Sequence, residues 1–468
     1  MNIADSEKIH TIFLQSGFKV AKNPKDADIV IFNTCSVRKK GEDRVFGLIQ
    51  EILKFSKKNN KKIIIGITGC MSRKTGINPK YFKDKNLEIK SPKNIELLKD
   101  EKGIFNSDDK LFAKTKDKID FITRIEEISY LPKILSVIFK KDIGKDFKSN
   151  DYLKIRQLQE NPASANIIIQ IGCDNFCSYC IVPYTRGREF SRKKEDILIE
   201  IKNAIKNGSK EIVLIGQNVN SYGKQLKKKL WNLEKSSWNS QNIKTPFRKL
   251  LEEINKIKGL DRIRFTSSNP HDMTQDILNA HFDLDKTCNY LHFALQSGDD
   301  EILKAMNRKH TYSDFKSQVK YLRSRDPLFA ISTDIIVGFP GETESQFQKT
   351  VKAFKELDFD FAYIARYSPR PGTFAYKNLK DDITLQEKAR RWNILNDLLK
   401  KSVQKRAKLM IGREEEILIY GIKKGLFFGR TRNFKEVFIK KDGKIKIGDI
   451  VKVKITKLDG WVLRGEKI

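Results

Sequence analysis

Short apolar runs alternate with amphipathic stretches along most of the 468-residue chain, and this alternation predicts its strands and helices. Ile9, Ile12 and Phe13 share one face of a helix over 6–16, which Gly17 ends. Residues 29–32 read as a short buried strand, 41–55 as a helix and 63–67 as the next strand. Strand–helix–strand order implies parallel strands. Asn33-Thr34-Cys35 and Thr68-Gly69-Cys70 follow these strands, so Cys35 and Cys70 fall on the carboxyl edge, where open α/β sheets bind ligands. A lone cysteine is normally a small buried hydrophobe, but two at matching positions point to a shared site. Residues 1–115 thus form an α/β domain with a parallel sheet. Residues 116–160 are weaker in pattern and rich in lysine, and read as a linker with one short helix.

From 165 to about 368 a strand followed by a helix recurs six times, with strands at 166–171, 211–215, 262–266, 290–295, 330–337 and 361–367. Six such units predict an open, partial barrel related to the eightfold one, with its chemistry on the loops after the strands. Those loops are rich in glycine and small polar residues, which permits close approach of backbone to a ligand. A basic insert at 222–246 carries Lys227, Lys228, Lys229, Trp231 and Trp238. It reads first as a solvated loop and second as a nucleic-acid contact through lysines and stacked aromatics. Residues 385–410 form one long basic helix, with Thr384 as N-cap and Glu387 completing a capping box. Past Gly412, strands at 416–420, 426–430, 436–440, 449–455 and 461–465 predict a small β-barrel. Its Phe427, Phe428, Arg430 and Arg432 suit an OB-like RNA-binding module. The barrel core spans 161–395 and the small β-barrel 405–468.

Composition adds a partner. Lys and Arg number 92 against 59 Asp and Glu, a net charge of +33. Such an excess suits a polyanion, most simply nucleic acid, although lysine is abundant throughout. No apolar run approaches a membrane span and the first 16 residues lack a signal-peptide core, so a cytoplasmic protein is expected. Six cysteines are too few for a disulfide scaffold, and in a reducing compartment a cysteine cluster points to metal or catalysis.

That cluster is Cys173, Cys177 and Cys180, spaced Cys-x₃-Cys-x₂-Cys. Three thiolates at this spacing can hold three irons of a 4Fe-4S cluster and leave the fourth open. Structural zinc wants four closed ligands, usually as two separated pairs, and no fourth Cys or His follows nearby. An open iron can bind the amino and carboxylate groups of S-adenosylmethionine (SAM). One electron then cleaves the sulfonium and yields a 5′-deoxyadenosyl radical, while the protein orients the cofactor and keeps water out. Tyr179 is placed to pack against the adenine, and the loops of Gly216, Gln217 and Asn218 and of Gly338 and Glu342 to hold the methionine and ribose ends.

The run Gly-Cys-Asp-Asn-Phe-Cys-Ser-Tyr-Cys-Ile-Val-Pro-Tyr-Thr-Arg-Gly-Arg-Glu (172–189) resembles the radical-SAM core of the methylthiotransferases, and in detail the MiaB-type tRNA enzymes. The likeness continues at Gly216-Gln217-Asn218-Val219-Asn220, at Gln296-Ser297-Gly298, at Met306-Asn307-Arg308 and at Thr333-Asp334 through Gly338-Phe339-Pro340-Gly341-Glu342. It extends to Asn33-Thr34-Cys35 and to the tail, which looks like a TRAM module. The resemblance adds Gln296, Arg308 and Asp334 to the cofactor-binding residues. It implies methylthiolation of carbon 2 of N6-(dimethylallyl)adenosine beside the tRNA anticodon. One SAM would methylate sulfur at an auxiliary 4Fe-4S cluster, and a second would supply the radical at the Cys173/Cys177/Cys180 cluster. It also implies an electron donor such as flavodoxin or ferredoxin, a sulfur source, no membrane, and a monomer. Sibling enzymes act on threonylcarbamoyl-adenosine or a ribosomal protein; the Gly-Gln-Asn-Val-Asn loop favours the dimethylallyl branch. A non-catalytic tRNA-binding protein is the reading from another class, against which the three intact cysteines argue.

The family's auxiliary cluster takes three cysteines, and this chain offers Cys35 and Cys70. The family's first cysteine lies in a Gly-Cys-Gln-Met-Asn turn after an N-terminal strand, whereas this chain opens Met1-Asn2-Ile3-Ala4. The expectation is that this strand and ligand precede Met1, its start having been assigned one methionine too late. Cys288 matches no ligand and reads as a core or surface thiol, and His271 as structural.

Overall fold

The computed structural model describes residues 1–35, 39–72, 119–143, 152–159, 161–224 and 244–468. The insert with Lys227–Lys229, Trp231 and Trp238 lies outside them. The chain forms two units: 1–158 with 172–188 and 368–378, and 159–171 with 189–367 and 379–468.

In the first unit, β-branched runs form β1 (Ile29–Thr34) and β2 (Ile64–Gly69), which pair in parallel with β3 (Phe121–Ile122) in the order β1-β2-β3. Helix α1 (Asn2–Gln15) begins four residues earlier than the apolar stripe predicts, and α2 (Lys39–Lys58) lays Ile49 and Ile52 against Ile65, Ile67 and Ile122. Residues 119–143 and 152–158 do not run as a linker. They supply β3, a 3₁₀ turn (Ile125–Tyr130) and a helix (Leu131–Phe139), with Phe121, Ile128, Leu131 and Leu135 buried. A two-residue strand is too short to show a period, which hid it. Lys8 ties the segment down: its fully buried ammonium donates to the carbonyls of Tyr152 (3.0 Å) and Ile155 (2.8 Å).

In the second unit the six predicted strands are present and parallel. They are β4 (Ser164–Ile168), β7 (Glu211–Ile215), β8 (Arg262–Phe265), β9 (Tyr290–His292), β10 (Ala330–Val337) and β11 (Phe361–Arg366). Parallel bridges Ile263–Thr287 and Ser268–Phe293 join the two halves into an open partial barrel. The first predicted strand is split: β4 ends at Ile168, and β5 (Gln170–Ile171) turns to pair antiparallel with β6 (Phe190–Ser191). Helices cover the outside, the long Leu385–Lys408 helix with Leu395, Leu399 and Val403. Thr384 caps that helix, its Oγ1 accepting from Glu387 N at 3.1 Å. The second half of the capping box is missing, because the Glu387 carboxylate accepts from Arg390 and Arg391 one turn on. Charge-assisted bonds win over a neutral N–H.

The tail closes as a five-stranded barrel in the order β12-β13-β14-β16-β15, from β12 (Glu414–Lys423), β13 (Leu426–Arg430), β14 (Glu436–Ile439), β15 (Ile450–Asp459) and β16 (Val462–Lys467). Ile417, Ile419, Val437, Val453 and Leu463 fill it.

Candidate functional site

The carboxyl edge of the first unit's sheet carries two cysteines side by side. β1 and β2 pair through Thr34 and Gly69, so Cys35 and Cys70 each follow by one residue, and Cys70 N donates to Thr34 O at 2.9 Å. Gly69 is required here. Its φ is +88°, and a Cβ would lie 2.5 Å from the Thr34 carbonyl. Cys35 is exposed and Cys70 buried. One step back, Asn33 pairs with Thr68, and Thr123 follows Ile122, the partner of Ile67. Asn33 Oδ1, Thr68 Oγ1 and Thr123 Oγ1 are all buried without a hydrogen-bond partner. The start of α1 closes over this edge: Asn2 Nδ2 donates to Thr34 O, and Asn33 Nδ2 to Asn2 O and Ser6 Oγ.

The triple-cysteine loop belongs to the same unit. It opens at Gly172, whose φ of +72° and place 2.1 Å (from a Cβ) off Arg188 O exclude a side chain. Cys173 N donates to Gly187 O (3.3 Å) and Cys180 N to Cys177 O (2.9 Å), while Ala375 N holds Ser178 O at 2.8 Å. Arg188 pairs with Asp174 at 3.0 Å and lies over the Phe176 ring. All three cysteines and Tyr179 are partly exposed. Among the described residues no three His, Cys, Asp or Glu gather at one point suited to a metal ion. The fit to a cluster therefore rests on donor chemistry: three thiols on one loop, two more on one sheet edge.

A short helix (Val182–Thr185) leads from this loop to Arg186. The Arg186 side chain is 2% exposed and its Nη2 lies 2.5 Å from Asp5 Oδ2, a carboxylate that Tyr152 OH also meets. Burial alone would lower the Arg186 pKa, but Asp5, Cys70 and Tyr152 outweigh it and hold the cation firmly protonated. Its Nε and Nη1 have no hydrogen-bond partner. Sequence reasoning quoted Arg186 within a motif and gave it no role; its burial depends on Asp5, 181 residues away.

The remaining cofactor candidates sit in the second unit, at the carboxyl ends of its strands. Gly216 is buried after β7; Gln217 Oε1 and Asn218 Oδ1 lack partners, while Asn218 Nδ2 donates to Asp272 at 2.8 Å. Gln296 takes a φ of +74° with its N–H on Asp334 O (2.8 Å), and its buried Oε1 also lacks a partner. Arg308 donates to Ala294 O at 2.8 Å and Asn269 Oδ1 at 3.0 Å. Asp334 meets His292 Nε2 at 3.0 Å, and His292 Nδ1 meets Ser332 Oγ at 2.9 Å. His292 escaped the sequence reading, although strand alternation sets it on the face opposite Leu291. Glu342 points inward, accepting from Gly338 N (2.6 Å) and Arg391 (2.8 Å), so this carboxylate braces its own loop. His271 N caps onto Asn269, and Cys288 is a buried core thiol.

The opposite, amino end of this barrel holds the small β-barrel. Arg262 donates to the carbonyls of Arg430 and Glu416. Arg264 donates to Glu211 and to the carbonyls of Arg432 and Thr431, each at 2.7 Å. Asp360 gathers Arg323, Arg406 and Lys435, which together hold its pKa down against burial. Three of the four side chains expected to face RNA are engaged here instead, and the fourth, Phe428, is half-buried against Tyr420 and Phe438. Phe427 is in the small barrel's core, Arg430 stacks on Tyr420 and Phe434, and Arg432 binds the carbonyls of Asp285 and Thr287. Several cations of the long helix also face inward, Lys388 to Asp381, Arg391 to Glu342 and Arg406 to Asp360.

Residues 167–354 match the Radical SAM superfamily, residues 1–88 the Uncharacterized protein family UPF0004, and residues 408–468 the TRAM domain. A tRNA-2-methylthio-N(6)-dimethylallyladenosine synthase of Thermoanaerobacter sp. (strain X514) is 38% identical over 476 residues, covering 100% of this chain and 90% of that one. The protein of the same name from Clostridium botulinum is 37% identical over 475 residues, covering 100% and 95%. Among solved structures, the radical S-adenosylmethionine methyltransferase TsrM of Kitasatospora setae aligns with a TM-score of 0.49 at 13% identity, over 80% of this chain and 73% of that one.

Proposed function

Because the chain belongs to the family of tRNA-2-methylthio-N(6)-dimethylallyladenosine synthases, we propose that it adds a methylthio group to carbon 2 of N6-(dimethylallyl)adenosine beside the tRNA anticodon. Cys173, Cys177 and Cys180 would hold a 4Fe-4S cluster with one open iron, and Cys35 and Cys70 two positions of an auxiliary 4Fe-4S cluster that carries the sulfur. When bound, the first cluster supplies the electron that cleaves SAM into a 5′-deoxyadenosyl radical. Tyr179 would pack on the adenosyl group; Gly216, Gln217, Asn218, Gln296, Arg308 and Asp334 would bind the polar ends of SAM, and the Glu342 brace would hold the Gly338 loop in shape for it. The unpartnered Gln217, Asn218 and Gln296 oxygens are the acceptors such a ligand would use.

The observation that carries this reading is the cysteine arrangement: a Cys-x₃-Cys-x₂-Cys loop and a two-cysteine sheet edge in one unit of a chain matched end to end by these synthases. The charge of +33 suits tRNA, whose target base must be splayed from its loop to be reached. A flavodoxin or ferredoxin would deliver electrons, and a separate sulfur source would recharge the auxiliary cluster. The enzyme would act as a monomer in the cytoplasm; among the described residues no helix is long and apolar enough to cross a membrane.

Mass spectrometry of tRNA nucleosides from a deletion strain tests this. The expected result is loss of the 2-methylthio group with the dimethylallyl group retained, restored by the gene. Loss confined to threonylcarbamoyl-adenosine would transfer the chain to the sibling activity, and an unchanged 2-methylthio content would reject both.

A further inference from the structure

We propose that Arg186 is an anion-binding residue of the auxiliary site, donating one of its unmatched N–H groups, on Nε or Nη1, to a sulfur of the cluster held at the Cys35/Cys70 edge. The inference rests on the reading that Cys35 and Cys70 hold a cluster. Three observations converge on it. The guanidinium is buried and held by Asp5 through one nitrogen, while the other two have no acceptor. Asp5 lies in the first turns of α1, between Asn2 and Ser6, and those two residues bond Thr34 and Asn33 at the carboxyl edge. The cation is also near enough to Cys70 for each to feel the other's charge.

A buried, permanently charged guanidinium with unmatched N–H groups is suited to an anion. The thiolates and sulfides of an iron–sulfur cluster are such acceptors, and hydrogen bonds to them raise the potential and slow loss of iron. Arg186 also follows the triple-cysteine loop by six residues, Cys180 to Arg186, so one stretch of chain serves both cysteine sets. The unpartnered hydroxyls of Thr68 and Thr123, which can donate, mark the same edge as unfinished without an acceptor.

The test uses the full chain carrying C173A, C177A and C180A, reconstituted with iron and sulfide so that only the edge cluster remains. R186Q added to it should release iron to a chelator about tenfold faster, the lower range for an outer-shell partner. It should also lower the midpoint potential read by electron paramagnetic resonance. R186K keeps the charge but loses the fork, and should fall between. If R186Q fails to fold by circular dichroism, R186K decides: values equal to the parent overturn the proposal. Equal potentials and release rates in a folded R186Q overturn it too, with the cluster assignment intact. No iron in the parent triple variant overturns the cluster assignment itself, and this inference with it.

Discussion

Arg264 and Arg186 are both buried guanidinium groups, with side chains 1% and 2% exposed, yet their surroundings are opposite in kind. Each nitrogen of Arg264 has an acceptor: Glu211 and two carbonyls of the small β-barrel. At Arg186 only one nitrogen is matched. An unmet buried donor costs about 1–3 kcal/mol, more when charged, so Arg186 carries a deficit that Arg264 does not. A fully satisfied charge network fixes structure; an unsatisfied one near Cys70 is where a ligand belongs.

The largest effect should come from breaking the satisfied network. Arg264→Met removes the ion-pair partner of the buried Glu211, leaving it the Ser164 and Tyr420 hydroxyls, and should cost about 3 kcal/mol in urea unfolding of the second unit. Adding Glu211→Leu should recover much of that loss; no recovery would show that the pair is not what Arg264 serves. A second effect is set by pH. Burial depresses the His281 pKa to about 4 from 6.5, with its Nδ1 on the Cys288 carbonyl. The unfolded chain therefore takes the proton first. Stability is complete above pH 6.5 and falls as the pH drops towards 4, by about 3 kcal/mol from this group. His281→Leu should flatten that slope in pH-dependent melts. Thr384→Ala removes the N-cap of the long helix and should cost about 1 kcal/mol in the same measurement. The smallest effect sharpens the contrast itself. Reconstitution with iron and sulfide should raise hydrogen-exchange protection at 29–35 and 64–72, since a bound ligand stabilises only what it binds, and leave 211–215 and 262–265 unchanged.

Much of this was legible in the chain. The six barrel strands and five tail strands follow from apolar runs and glycine turns, and the paired cysteines from strand–turn spacing. What stayed hidden was long-range. β3 has two residues and no period, so its burial against Gly66 and Ile67 had no local signal. The basic residues of 385–410 and of the tail read as an RNA surface because their acceptors are remote: Arg432 meets a carbonyl 147 residues away, and Arg406 a carboxylate 46 away. A count of charges does not reveal which are buried. The unmatched N–H groups of Arg186 are likewise a property of packing.

The division of labour between the two cysteine sets is tested most directly by the full-length C35A/C70A variant, reconstituted and supplied with SAM, reductant and dimethylallyl-adenosine tRNA. It should form 5′-deoxyadenosine at close to the parent rate and no 2-methylthio product. Undiminished product, or loss of SAM cleavage together with it, would contradict the account.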